Sequence, residues 1–362
     1  MALNAIFTSS ALFAAAVSAI PAPIPLPLVS RDDQSFNASL PNITIFATGG
    51  TIAGSAASSD QTTGYKAGAL SIETLIEAVP EIRNISNPSG IQIANVASPS
   101  VTDSILMNLT HHVQAAMDDP YCSGVVVTHG TDTLEETAFM LDLTVKTNKP
   151  LVIVGAMRPA TAISADGPIN LLEAVTVAAD PAARDRGTMI LLSDRISSAF
   201  YTTKSNANSL DTFRALEQGY LGVLINIKPL WYTTPSLPLH RPYFNVTEKH
   251  DLPKVEILYG YQDVDPTIPK AVVENGAVGL VLAGMGSGGW TDDGNAELEK
   301  LFNATGIPIV YSRRPMDGFV EPTGTFGIGG GFLNPQKARI MLQLALSTGY
   351  KGKSLRGLFE YI

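Results

Sequence analysis

Cysteine is nearly absent. Cys122 stands alone among 362 residues, so no disulfide can close within the chain and the fold must rest on packing. As a lone thiol, Cys122 reads as a small buried apolar residue. Positive charge is scarce too: 24 Lys and Arg face 33 Asp and Glu, for a net charge of −9. That balance excludes the clustered Lys/Arg that nucleic acid or an anionic membrane surface would need. Metal-ligand spacing is missing, since no HExxH or CxxC occurs and His111, His112, His129, His240 and His250 form no ligand pattern. No G-x-S-x-G elbow supports a serine hydrolase. Only 16% of residues are charged and 45% are hydrophobic, which predicts a sizeable core and excludes global disorder.

What is present begins with "MALNAIFTSSALFAAAVSAI", an apolar run with small residues near Val17–Ala19. It reads as a signal peptide over 1–19, although its first residues carry no Lys or Arg. Pro21, Pro23, Pro25 and Pro27 stop the run before it could span a bilayer, and no later stretch is long and apolar enough to do so. Residues 20–40 then read as a flexible leader. Sequons at Asn37, Asn42, Asn84, Asn108, Asn245 and Asn303 fit an exported glycoprotein, secreted to the extracellular or cell-wall space.

Short apolar runs alternate with helical patterns. "ITIFA" (43–47), "GVVVTH" (124–129), "LVIVGA" (151–156) and "TMILLS" (188–193) predict strands buried on both faces. Leu134, Thr137, Ala138, Leu141 and Val145 recur at helix spacing, and "INLLEAVTVAA" (169–179) predicts a second helix. The pattern resumes with "KVEILYGY" (254–261), "GAVGLVLAG" (276–284), "IPIVYS" (307–312) and a closing helix over 335–347. The fold class is therefore α/β, with a large, mostly parallel N-terminal sheet domain over 41–230 and a smaller parallel C-terminal domain over 253–362. The Pro- and aromatic-rich stretch 231–252 between them reads as a linker.

In open parallel sheets ligands bind beyond the carboxyl ends of the strands. Thr51, Thr131, Arg158 and Lys204 all follow predicted strands and so can gather on one rim. Gly49-Gly50-Thr51 is neither a phosphate loop, since no Gly-Lys-Ser/Thr follows it, nor a dinucleotide turn. The Gly/Ser/Thr-rich stretch 53–68 after it reads as a lid carrying one aromatic, Tyr65. A tight turn with a capping hydroxyl accounts for Thr51 better than a nucleophile does, on these residues alone. Thr133 and Glu136 form a capping box with Asp132 at the dipole-positive helix start, which leaves Thr131 unexplained. Lys204 alone is an ordinary solvated lysine; beside Asp132 and Thr131 it would ease deprotonation of a hydroxyl or water. His129 reads as a structural hydrogen-bonding residue. The Gly-rich "MGSGG" (285–289) is a plain loop or brings Ser287 to a ligand at a subunit interface.

Together, "ATGGTIAG" (47–54), "THGTDTLEETA" (128–138), "GAMRP" (155–159) with "SADGPINLLEA" (164–174), and "LNPQKARIMLQLAL" (333–346) resemble the bacterial-type L-asparaginase family, in its exported type II branch. The resemblance runs from about Pro41 to the C-terminus, and it, not spacing, overturns the structural reading of Thr51. It implies hydrolysis of L-asparagine to L-aspartate and ammonia, with no metal or cofactor and with side activity on L-glutamine. Thr51 falls on the family's nucleophile and Tyr65 on its lid tyrosine. Thr131, Asp132 and Lys204 fall on its second threonine, its aspartate for the substrate ammonium, and its lysine. Ser98 falls on the residue that binds the α-carboxylate. The family's assembly is a homotetramer, a dimer of dimers, whose sites are completed by a neighbouring chain; Ser287 and Glu321 are the candidates here.

Four departures stand out. Pro99 replaces a glutamine that helps bind substrate. Ser287 stands where asparagine is frequent, leaving room for one methylene. Segment 313–324 is short, and Thr147 stands near the position that would pair with Cys122. A secreted amino-acid-binding protein with this fold and no turnover, a nucleotide-binding α/β protein and a transamidation subunit are the competing readings.

Overall fold

The computed structural model describes residues 36–61, 64, 66–324 and 326–360. Strands β1 (Asn42–Gly49), β2 (Asn87–Val96), β3 (Gly124–Thr128), β4 (Leu151–Val154) and β5 (Thr188–Leu192) run parallel, in the order β2-β1-β3-β4-β5. Every residue of β3, β4 and β5 is buried, as expected for strands with helices on both faces. Those helices include α1 (Ile72–Glu77), α2 (Asp103–Asp118), α3 (Leu134–Thr144) and α4 (Gly167–Ala179).

Beyond β5 the sheet turns antiparallel through β6 (Arg195–Ser198), and a separate hairpin follows, β7 (Thr203–Lys204) with β8 (Phe213–Arg214). β9 (Gly222–Ile225) and β10 (Lys228–Trp231) complete the eight-stranded sheet, again antiparallel. Ser193 and Asp194 join β5 to β6, and Asn226 and Ile227 join β9 to β10, all four at positive φ. That geometry matches the twist of a two-residue hairpin turn. The N-terminal sheet is thus mixed, with its parallel part forming the site-bearing half.

The second sheet is wholly parallel: β11 (Val255–Tyr259), β12 (Gly279–Gly284), β13 (Ile309–Arg313) and β14 (Ile328–Gly329), in that order. Helices α5 (Ile268–Glu274), α6 (Asp292–Thr305), α7 (Pro335–Ser347) and α8 (Gly352–Arg356) accompany it. One apolar layer joins the two sheets. Leu106 and Met107 of α2, with Phe139, Met140 and Leu143 of α3, pack with Ile340, Met341 and Leu344 of α7. The segment between the sheets, which lacks regular elements, is pinned to α3. Phe244 N–H donates to the Leu143 carbonyl at 2.8 Å, and Arg241 Nε donates to buried Asp142 at 2.7 Å. Among the described residues no helix is long and apolar enough to cross a membrane.

Candidate functional site

Because β1, β2 and β3 are parallel neighbours, the turns after them leave the sheet on one side. How closely they approach decides the site. Gly49 and Gly50 have φ of 101° and 81°, a region in which a side chain is strained. Gly50 N–H donates to the Val96 carbonyl at 2.9 Å. A Cβ on Gly50 would lie 2.3 Å from the Gly130 Cα, and one on Gly130 would lie 2.8 Å from Ser98 Oγ. Backbone therefore packs on backbone between the turns after β1 and β3, the Ser98 side chain packs on the Gly130 backbone, and only glycine permits either contact. Thr51, which opens a short 3-10 turn over 51–53, is held beside Ser98 and Thr131 by this contact.

A cavity of about 450 Å³ opens there, bordered by Thr51, Ser98, Pro99, Thr131, Asp132, Arg158 and Lys204. Lys204 enters from the β7–β8 hairpin. Its ammonium donates to Thr131 Oγ1 at 3.1 Å and to Asp132 Oδ1 at 2.6 Å. Thr131 is buried while the Asp132 carboxylate faces the open cavity. Ser98 Oγ accepts the Asp132 N–H at 3.2 Å, which leaves the serine proton available to an anion.

Five expected residues, Thr51, Ser98, Thr131, Asp132 and Lys204, thus come together. Tyr65 lies outside the described residues. Ser287 and Glu321 sit exposed in the C-terminal domain and do not border this cavity. The expected capping box is absent, since Thr133 makes no side-chain cap to α3. Its hydroxyl instead donates to the Ser98 carbonyl at 2.9 Å and ties two turns together. His129 is fully buried, with its pKa pushed down to about 4 by burial. The Gly130 carbonyl can only accept, so Nδ1 carries the proton, and Nε2 accepts from the Thr137 hydroxyl at 2.9 Å. Held neutral on both sides, His129 is structural.

The fourth wall follows β4. Asp166 accepts the N–H groups of Met157 and Arg158, each at 2.9 Å, and fixes that turn. Ala207 and Asn208 complete the rim on the loop after Lys204. They escaped the sequence reading, because a polar hairpin loop has no apolar period; its signal is adjacency to Lys204.

The chain matches two family profiles, "Asparaginase, N-terminal" over residues 42–237 and "Glutaminase/Asparaginase C-terminal domain" over 254–359. It is 54% identical to "Probable L-asparaginase 1" of Schizosaccharomyces pombe over 329 residues, 91% of each chain. It is 43% identical to "L-asparaginase 2" of Bacillus subtilis, over 92% of this chain and 89% of that one. The crystal structure of a probable cytoplasmic L-asparaginase from Campylobacter jejuni superposes with a TM-score of 0.85. That chain is 40% identical, with 88% of this chain and 99% of that one covered.

This last likeness corrects the expected export: a protein described as a probable cytoplasmic L-asparaginase carries the same fold, so secretion does not follow from the resemblance. The expectation leaned on an apolar run that lacks the positive n-region of a signal peptide, and on sequons, which carry meaning only in a chain already exported. The signal and leader segments lie outside the described residues, apart from 36–40.

Replacing Gly50 with alanine tests the turn contact. Gly219→Ala, at φ 76° with nothing within 4 Å, carries similar backbone strain without a clash. Gly50→Ala is expected to lose about 1–3 kcal/mol more than Gly219→Ala in urea unfolding, the usual range for overpacking. Equal losses would mean that the turns do not need this approach.

Proposed function

The chain belongs to the asparaginase family, and we propose that its rim cavity hydrolyses the side-chain amide of L-asparagine to L-aspartate and ammonia, with side activity on L-glutamine. The observation that carries this reading is Lys204, which bridges Thr131 and Asp132 on the wall of the cavity that also holds Thr51.

An amino acid substrate is a zwitterion, so both charges need partners. Lys204 occupies Asp132 Oδ1, and Oδ2 has no hydrogen-bond partner among the described residues, which suits it to an α-ammonium. The Ser98 hydroxyl, already accepting from the Asp132 N–H, has its proton for the α-carboxylate. In acylation Thr51 Oγ1 bonds to the carboxamide carbon, the C–N bond breaks, and ammonia leaves with the threonine proton. The resemblance gives the relay of that proton to Tyr65. In deacylation a water oxygen bonds to the ester carbon, the bond to Thr51 Oγ1 breaks, and a proton returns to Thr51. The Lys204 ammonium, donating to Thr131 Oγ1, fixes that hydroxyl so that Thr131 orients the water, and the proton the water sheds is the one that returns to Thr51 Oγ1. Asp132 in turn balances the lysine charge.

The site is open on one side, and Ser287 and Glu321 stand exposed away from it. A second copy of the chain, in a dimer of dimers, would bring these residues to the neighbouring site. A monomer by sedimentation velocity, active at the same specific rate as the unfractionated protein, would remove that completion.

Purified protein is expected to release ammonia from L-asparagine, and more slowly from L-glutamine, whose extra methylene costs about 1–3 kcal/mol in a fitted pocket. Thr51→Ala should retain the circular dichroism of the parent and lose turnover. Binding heat without ammonia from the parent would leave a binding protein, and an active Thr51→Ala would remove Thr51 as nucleophile.

A further inference from the structure

Lys337 is a second lysine with no assigned task. It lies on α7, 2% exposed, and its ammonium donates to three main-chain carbonyls: Ala199 at 2.9 Å, Phe200 at 3.0 Å and Thr202 at 2.5 Å. Burial pushes its pKa down to about 8, opposed by the fields of Glu135 on α3, Asp142 at the far end of that helix and Asp317; Arg313 adds to the lowering. No carboxylate forms an ion pair with it among the described residues. Its ammonium also lies 5.7 Å from the Phe139 ring centroid, but a buried cation with no ion-paired carboxylate is costly, and an apolar side chain would fill the space more cheaply. What only an ammonium can do is gather three carbonyls at one point.

Those carbonyls belong to the turn that leads from β6 into Thr203-Lys204. A neighbour in the same helix start holds the next residue. Asn334 caps α7 by accepting the Lys337 N–H at 3.0 Å, and its Nδ2 donates to Thr203 Oγ1 at 3.3 Å. The first turn of α7 therefore grips residues 199, 200, 202 and 203, and the next residue, Lys204, reaches Thr131 and Asp132.

We propose that Lys337 is a positioning residue for Lys204, acting through the backbone of residues 199–203 so that the C-terminal domain sets the geometry of the Thr131 relay. This rests on the amide-hydrolysis reading above. Displacement of a reacting group by about 1 Å can cost about 10²-fold in rate. If Lys204 serves deacylation, loosening it slows the second step alone. Then kcat and KM fall together, kcat/KM holds, and acyl-enzyme accumulates.

Lys337→Met keeps the length of the side chain and removes the ammonium. In the full chain, with kcat normalised to folded protein by circular dichroism, kcat should fall by about 10- to 100-fold. KM should fall in parallel, with a burst of ammonia ahead of the steady state. Competitive acetylation read by mass spectrometry should label Lys204 several-fold faster, with Lys254 as the unaffected reference. Thr203→Val removes the hydroxyl that Asn334 holds and leaves the α7 cap intact, so it should shift kcat and Lys204 labelling the same way, more weakly. A folded Lys337→Met with parental kcat and parental labelling overturns the proposal. If Lys337→Met does not fold, parental values in Thr203→Val overturn it. If the parent itself releases no ammonia, the hydrolase reading fails, and Lys204 labelling alone decides the positioning role: faster labelling supports it and unchanged labelling overturns it.

Discussion

Everything at the rim depends on a contact between two main chains. Gly50 meets Gly130 with no room for a Cβ between them, Gly49 meets the Val96 main chain in the same way, and Gly130 leaves space for the Ser98 side chain. Parallel neighbours place strand ends side by side about 5 Å apart, but side chains normally hold the loops beyond them further apart. Removing those side chains lets three turns close on one point. The hydroxyls of Thr51, Ser98 and Thr131 then share a cavity although they lie far apart in the chain. Cross-ties finish the junction: Thr133 to the Ser98 carbonyl, Asp132 N–H to Ser98 Oγ, and Thr48 to the Thr128 carbonyl at 3.1 Å.

The second requirement is a charge brought to a threonine from outside the sheet. Lys204 sits on a hairpin of two-residue strands, too short to hold its own register. Its position is borrowed. On one side Asp132 and Thr131 hold the ammonium; on the other, α7 of the C-terminal domain holds the backbone that precedes it. The apolar layer between α2, α3 and α7 keeps that helix in place. Thus the smaller domain, none of whose described residues lines the cavity of its own chain, still has a physical route to it.

Legibility in the sequence followed burial. Val125, Val126 and Val127, or Leu151 to Val154, are buried on both faces and so stand out as unbroken apolar runs. The closing helix over 335–347 was legible from its period, and its observed bounds are the same. The antiparallel half was not legible. β9 and β10 have four residues each, partly exposed, and the turn between them uses Asn226 and Ile227 in place of glycine. A β-branched residue at positive φ is the opposite of a turn signal.

At the site, Gly49-Gly50 was visible as an unusual turn, but nothing local marks Ser98 or Lys204. Their place comes from sheet order and from a hairpin with no apolar pattern, and the family resemblance supplied what spacing did not. Thr133 looked like a cap by the residue three positions on, yet its hydroxyl found a stronger claim in a tertiary partner, the Ser98 carbonyl. The export reading rested on an apolar run without a positive n-region and on sequons that have meaning only after export.

The central claim is that Thr51, and not Thr131, forms a covalent bond to the substrate in the shared cavity. Rapid acid quench of the protein turning over L-asparagine, followed by peptide mass spectrometry, tests it directly. The account predicts the mass of an aspartyl group on the peptide that carries Thr51 and none on the peptide that carries Thr131. An aspartyl group on Thr131, or ammonia release at full rate with neither peptide modified under conditions that preserve esters, would contradict it.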